Sequence, residues 1–183
     1  MIAPSTAPNF QVNSQKMLIG LLSDSHANTL RLENAVALLV RQGAGIIVHC
    51  GDIVATGDVS ILAAGGVGAY LVAGNMDRRT AKLAEEARTH GVNFATDFLE
   101  VPLGDGRHLI ALHGHNEQLL REFAAGGQFP YICHGHTHRA ADNTYGQVRV
   151  ICPGALAHPR WPKHPTVAIL DTDADTVKFI EVG

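Results

Sequence analysis

The chain has 183 residues, 46% apolar and 17% charged, with a formal net charge of -3. That suits one globular domain with a single sizeable core. It gives no basic surface that would mark a nucleic-acid or anionic-membrane partner, and no stretch is long and apolar enough to cross a bilayer. Residues 1–16 contain Pro, Ser and Asn and lack the basic start and apolar block of a signal peptide. They read as a flexible tail ahead of one domain over residues 17–183. The three cysteines, Cys50, Cys133 and Cys152, are odd in number and have no paired spacing. This argues against a disulfide framework and for buried thiols in a reducing, cytoplasmic compartment.

In chain order, Met17 to Leu22 is a short apolar run ending in Ser-Asp, which predicts a buried strand. A helix is predicted from Asn28 to Arg41, with Asn28 as its cap and Gly43 as its stop. Ile46 to His49 predicts a second strand, Val59 to Ala64 a short helix, Ala69 to Val72 a third strand and Arg79 to His90 another helix. The pattern then changes. Phe98 to Val101 and His108 to Leu112 flank a Gly-Asp-Gly turn and predict a hairpin. A helix from Asn116 to Ala125 and strands at Tyr131 to Cys133, Val148 to Ile151, Thr166 to Leu170 and Thr176 to Val182 complete the chain. An alternating half followed by a strand-rich half, with strands apolar on both faces, predicts a layered α/β sandwich with a mixed sheet.

Metal-capable residues recur just past these strands, where open α/β sheets collect ligands. They form five groups: Asp24-Ser25-His26, Gly51-Asp52, Gly74-Asn75, His113-Gly114-His115 and Gly135-His136-Thr137-His138. In an extended segment Asp24 and His26 would point the same way, as would His136 with His138. Glycine beside each group permits a tight turn. Taken singly, each group is better explained as a turn, a helix cap or a core histidine. Five groups in one order, all at strand ends, are not explained by turn chemistry.

These five groups resemble the ordered motifs of the calcineurin-like metallophosphoesterases, and their wording is similar to that of the small bacterial and archaeal phosphodiesterase branch. The resemblance runs from about Met17 to Val182. It implies a four-layer α/β/β/α sandwich with mixed sheets and two divalent transition-metal ions, manganese first, with iron, zinc or nickel as alternatives. Asp24, His26 and His138 would hold one ion and Asn75, His113 and His136 the other, with Asp52 bridging. Mixed imidazole and carboxylate ligands suit transition metals. The implied activity is hydrolysis of a small phosphate ester, a diester in preference to a monoester, by in-line attack of a metal-bridging hydroxide. Oligomerisation is compatible with the sequence.

The sequence departs from the family in one place that matters. Larger members carry a histidine after the Gly-Asn pair as leaving-group acid; here that residue is Met76, whose thioether has no proton to donate. Asp52, Asn75 and His115 are the candidates for a direct part in catalysis, His115 either meeting substrate phosphate or supporting the ligands from behind. The turn Cys152-Pro153-Gly154-Ala155 is expected near the site, and the following Arg160 either touches substrate or lies at the surface with no substrate role. His49 and His134 are expected in the core or behind the ligands, and His90, His108 and His164 at the surface. Two other readings were weighed. A non-catalytic protein-binding scaffold like the retromer subunit of this fold would have lost metal ligands, whereas all seven positions here hold competent residues. A metallo-β-lactamase-type zinc hydrolase would need Asp-His after its second histidine, which His134-Gly135-His136-Thr137-His138 lacks.

Overall fold

The structure is a computed structural model and describes residues 17–183. The N-terminal tail expected at residues 1–16 lies outside the described residues. Among the described residues, eleven strands form two mixed sheets. The first has the order β11-β10-β1-β2-β3-β4, from β1 (Leu18–Leu22), β2 (Ile46–His49), β3 (Gly68–Val72), β4 (Asn93–Ala95), β10 (Thr166–Asp171) and β11 (Thr176–Glu181). The second has the order β5-β6-β7-β9-β8, from β5 (Phe98–Pro102), β6 (His108–Leu112), β7 (Tyr131–Cys133), β8 (Ala140–Tyr145) and β9 (Val148–Pro153). The helices are α1 (Thr29–Arg41), α2 (Val59–Ala64), α3 (Thr80–His90) and α4 (Glu117–Gly126).

Strand alternation explains the layers. Along β1 and β2, Ile19, Leu21, Ile46 and Val48 point into the core between the sheets, while Leu22 and Ile47 point to the other face. That outer face is covered by Leu32, Val36 and Leu39 of α1, Leu62 of α2 and Leu83 of α3. In the second sheet, Leu109 and Ala111 join the inter-sheet core, while Ile110, Leu112 and Ile132 pack under Leu119, Leu120 and Phe123 of α4. The order is therefore α/β/β/α, as expected, and each sheet is covered on both faces. Fully burying one such Leu or Ile stabilises the fold by about 1.5–3 kcal/mol.

Helix α1 begins where expected, with Asn28 Oδ1 accepting the backbone N–H of Arg31 at 3.2 Å. Three elements escape the sequence pattern. β4 has three residues and lies at a sheet edge; β8 (AADNTY) is an edge strand, mostly exposed and polar. A single 3₁₀ turn over Thr56–Asp58 precedes α2. No helix among the described residues is long and apolar enough to cross a membrane.

Candidate metal centre

β1, β2 and β3 run parallel, as do β6 and β7, so the chain leaves each of these strands with a candidate group in hand. Backbone bonds knit the exits together. The Asp24 N–H donates to the Gly51 carbonyl, His26 N–H to Asp52 and Gly135 N–H to His113, each at 3.0 Å. From the later chain, Leu156 N–H and Ala157 N–H donate to the Ser23 and Asp24 carbonyls.

The candidate ligands converge, although not through extended backbone. Asp24, His26, Asp52, His136 and His138 have φ of 55°, 44°, 57°, 66° and 57°. The alternation expected for Asp24/His26 and His136/His138 is therefore replaced by left-handed turns, a conformation that Asp and His tolerate better than most residues. Each costs on the order of 1–3 kcal/mol and persists only where surrounding bonds enforce it. The glycines do two different jobs. Gly51, at φ 93°, supplies a turn. Gly74 and Gly135 supply space: a Cβ would lie 2.1 Å from Asp52 Oδ1 at Gly74 and 1.8 Å from Ser23 Oγ at Gly135.

Two sets of side chains could each hold a metal ion, their ligand atoms lying within 4.8 Å of one another: Asp24, His26 and His138, and Asp24, Asp52 and His113. Asp52 Oδ2, in the second set 3.4 Å from His113 Nε2, is also 3.7 Å from His26 Nε2 of the first. Asn75 Oδ1 is 3.0 Å from His113 Nε2. The His136 ring is more loosely placed, exposed and 5.2 Å from the His113 ring centroid, while its backbone N–H donates to Asp24 Oδ2. Asp24 thus reaches both sets, where the sequence suggested only the first.

The rings are oriented from behind. His113 Nδ1 faces the Cys50 carbonyl at 2.8 Å and His138 Nδ1 the His158 carbonyl at 2.9 Å. Each therefore donates Nδ1–H to a carbonyl and turns Nε2 to the carboxylates, the arrangement that orients metal-ligating histidines. Asp24 Oδ1 is buried, 3.3 Å from His138 Nε2, and no aligned hydrogen-bond donor reaches it. A buried carboxylate oxygen left in that state is costly, and a cation among these nitrogens and oxygens would satisfy it.

Electrostatics agree. Burial alone would raise Asp24, but His138, Ser23 and His113 outweigh it and hold the carboxyl below its usual range. For Asp52, burial is likewise outweighed, by His113, the Met76 N–H and His26. His113 is depressed by burial but raised on balance by Asp52, and His138 is raised by Asp24. His136 is lowered by burial and by the charge of His113.

The remaining sequence candidates fall as follows. His115 is exposed, its ring 5.5 Å from that of His113 and 6.3 Å from that of His136. Met76 is 43% exposed, and its backbone N–H donates to Asp52 Oδ1. His49 is buried between Ser25 Oγ and the Gly51 N–H, and burial lowers it to about 4, so it is a neutral strut. His134 is also lowered by burial and sits against the Gly135 carbonyl. Arg160 is exposed, with its N–H on the His138 carbonyl. Cys50, Cys133 and Cys152 are free and buried.

Asp77 is the residue that sequence reasoning missed. It is 4% exposed; its Oδ2 accepts the N–H of Asp52 and Gly74, and its Oδ1 that of Val54. One carboxylate therefore ties the Asp52 turn to the Asn75 turn. The available signal was an acid three residues past Gly74. A cavity of about 780 Å³, lined by residues such as Leu120, Tyr145 and Val150, lies between α4 and the β8–β9 hairpin and includes none of the candidate ligands. A polar cavity of about 500 Å³ adjoins the centre at His26.

Residues 17–175 match the family model described as the calcineurin-like phosphoesterase superfamily domain. Phosphodiesterase MJ0936 of Methanocaldococcus jannaschii is 28% identical over 158 residues, covering 86% of this chain and 94% of its own. The probable metallophosphoesterase YsnB of Bacillus subtilis is 27% identical over 176 residues, covering 90% and 91%. A solved archaeal phosphodiesterase superposes with a TM-score of 0.82 at 26% identity, covering 91% of this chain and all of the other. Vacuolar protein sorting 29 of Cryptosporidium parvum shares the fold at 14% identity, with a TM-score of 0.59 over 90% and 96% of the two chains. With the family model spanning most of its length, the chain belongs to the calcineurin-like phosphoesterase superfamily.

Proposed function

We propose that the chain is a dinuclear metal-dependent phosphodiesterase. One observation carries this: the buried Asp24 Oδ1 accepts no aligned hydrogen bond, and Asp24 clusters its carboxylate with His26 and His138 and with Asp52 and His113, ligand atoms within 4.8 Å in each set. Asp24, His26 and His138 would hold one ion, and Asn75, His113 and His136 the second. Asp52, whose Oδ2 is 3.7 Å from His26 Nε2 and 3.4 Å from His113 Nε2, would be shared by both. When bound, two divalent ions would supply Lewis acidity to the phosphoryl oxygens and a water acidified enough to attack at neutral pH.

The protein's own part is orientation. The Cys50 and His158 carbonyls fix the imidazoles, Asp77 fixes the Asp52 and Asn75 turns, and Ser23 Oγ holds Asp24 Oδ2 at 2.5 Å. His115 is exposed beside this group and can donate the proton that Met76 cannot. Manganese leads the candidate ions, ahead of iron, zinc or nickel. The diester preference rests on the phosphodiesterase names carried by a curated relative and by a solved archaeal structure. The fold shared with vacuolar protein sorting 29 is compatible with the scaffold reading, which is not favoured because no candidate ligand position is lost.

The test is hydrolysis of matched aryl monoesters and diesters by chelator-stripped and metal-reconstituted protein. Stripped protein should be inactive and manganese should restore turnover, with diesters preferred. Full activity in metal-free protein would refute the metal-dependent reading.

A further inference from the structure

Beside His26 lies the cavity of about 500 Å³, lined by His26, Ala27, Asn28, Thr29, Arg31, Ala157 and His158. None of these residues is acidic, and the first turn of α1 has no acid either. Asp58 is buried and takes a hydrogen bond from Thr29 Oγ1 without lining the cavity. Arg31 is half-buried, and one guanidinium nitrogen is anchored on the Leu156 carbonyl at 2.7 Å. Among the described residues it makes no ion pair. A guanidinium keeps its charge at any working pH and carries five donors, so anchoring one nitrogen leaves donors for a ligand. Leu156 and Ala157 are bonded through their N–H groups to Ser23 and Asp24, so the anchor is rigid with respect to the centre.

We propose that this cavity binds one ester arm of the substrate, and that Arg31 selects arms carrying a second anionic group, a phosphate or a carboxylate. The substrate class is then a phosphodiester with a further negative charge beyond the scissile phosphoryl group. This rests on the phosphodiesterase reading above. Charge-assisted, bidentate contacts to planar or tetrahedral anions are what guanidinium groups favour over ammonium groups. A contact of this kind to a charged ligand corresponds to roughly a tenfold gain in affinity at low salt, and it weakens as salt screens it.

The experiment compares the p-nitrophenyl ester of thymidine 5′-phosphate with the same ester bearing a 3′-phosphate, on manganese-loaded protein. In the wild type the added phosphate should lower KM roughly tenfold and leave kcat little changed. In Arg31→Gln the ratio of the two KM values should fall to near one, with Arg31→Lys between. Metal content per chain shows whether each variant keeps its centre. Calorimetry gives a readout without turnover: thymidine 3′,5′-bisphosphate should bind more tightly than thymidine 5′-phosphate, and Arg31→Gln should erase the difference. Equal KM values and equal affinities in the wild type, or a preference that survives Arg31→Gln, overturn the proposal while leaving the hydrolase reading intact. Failure to hydrolyse either ester, with the bisphosphate preference present and dependent on Arg31, supports the subsite and overturns the phosphodiesterase reading instead.

Discussion

Replacing Asp77 tests whether the centre depends on a residue that touches no ligand atom of its own. Its carboxylate accepts three backbone N–H groups, at 2.8 Å from Asp52, 2.7 Å from Gly74 and 2.7 Å from Val54. Hydrogen bonds to a charged acceptor contribute about 1.5–3 kcal/mol each, and bonds sharing one acceptor do not add fully. Asp77→Ala should therefore cost about 3–5 kcal/mol, a large part of the stability of a domain this size. Asp77→Asn can keep its oxygen on the Asp52 and Gly74 side, losing only the Val54 bond together with the charge, and should cost about 1.5–3 kcal/mol. Both variants should lose metal in the order Ala worse than Asn, since the freed N–H groups no longer hold Asp52 and Asn75 against each other. Urea unfolding of the metal-free proteins and metal analysis of the reconstituted ones provide the two measurements. An Asp77→Ala protein within about 0.5 kcal/mol of wild type, the scatter of neutral surface changes, and with full metal content would show that the clamp is incidental.

The other outcomes concern the ligands directly. Asp52→Ala should lower metal content and activity together and more severely than His26→Ala, because Asp52 Oδ2 lies near both His26 and His113; metal analysis of the two variants side by side decides it. In the metal-free protein His113 and His138 are held above the usual histidine value. Their stabilising contribution is therefore present below the unfolded value of about 6.5 and is lost as pH rises through the folded values. Metal binding would displace the same protons, so affinity should climb as pH rises toward the folded values, by up to about tenfold per pH unit for each proton released, and level off above them. Competition with a chelating dye from pH 6 to 8.5 measures this, and a flat profile would contradict it. For His115, kcat/KM across diesters of graded leaving-group pKa is the measure. If His115 donates the proton, His115→Ala should turn a shallow dependence steep, because a positioned acid contributes about 10²–10⁴-fold for poor leaving groups; identical slopes would remove it from that role.

The sequence by itself determined the layers and the inventory of candidate ligands. Apolar runs such as Ile46–His49 and the spacing of Leu32, Val36 and Leu39 state which faces must be covered, because burial follows strand and helix periodicity. The five groups are legible for a similar reason: a ligand must end a strand and needs glycine nearby, and both marks are local. The elements that stayed hidden, β4 and β8, are short or polar edge strands held by pairing with β3 and β9 rather than by their own pattern. Only the tertiary structure decided how the ligands meet. Left-handed turns at Asp24, His26, Asp52, His136 and His138, not extended alternation, aim these side chains, and such turns exist because distant backbone bonds enforce them. The one local mark of Asp77 is its place three residues past Gly74; its other partners, Asp52 and Val54, lie 25 and 23 residues away. The closeness of Arg31 to the centre arises in the same way, through a carbonyl 125 residues along the chain that only the folded sandwich brings to it.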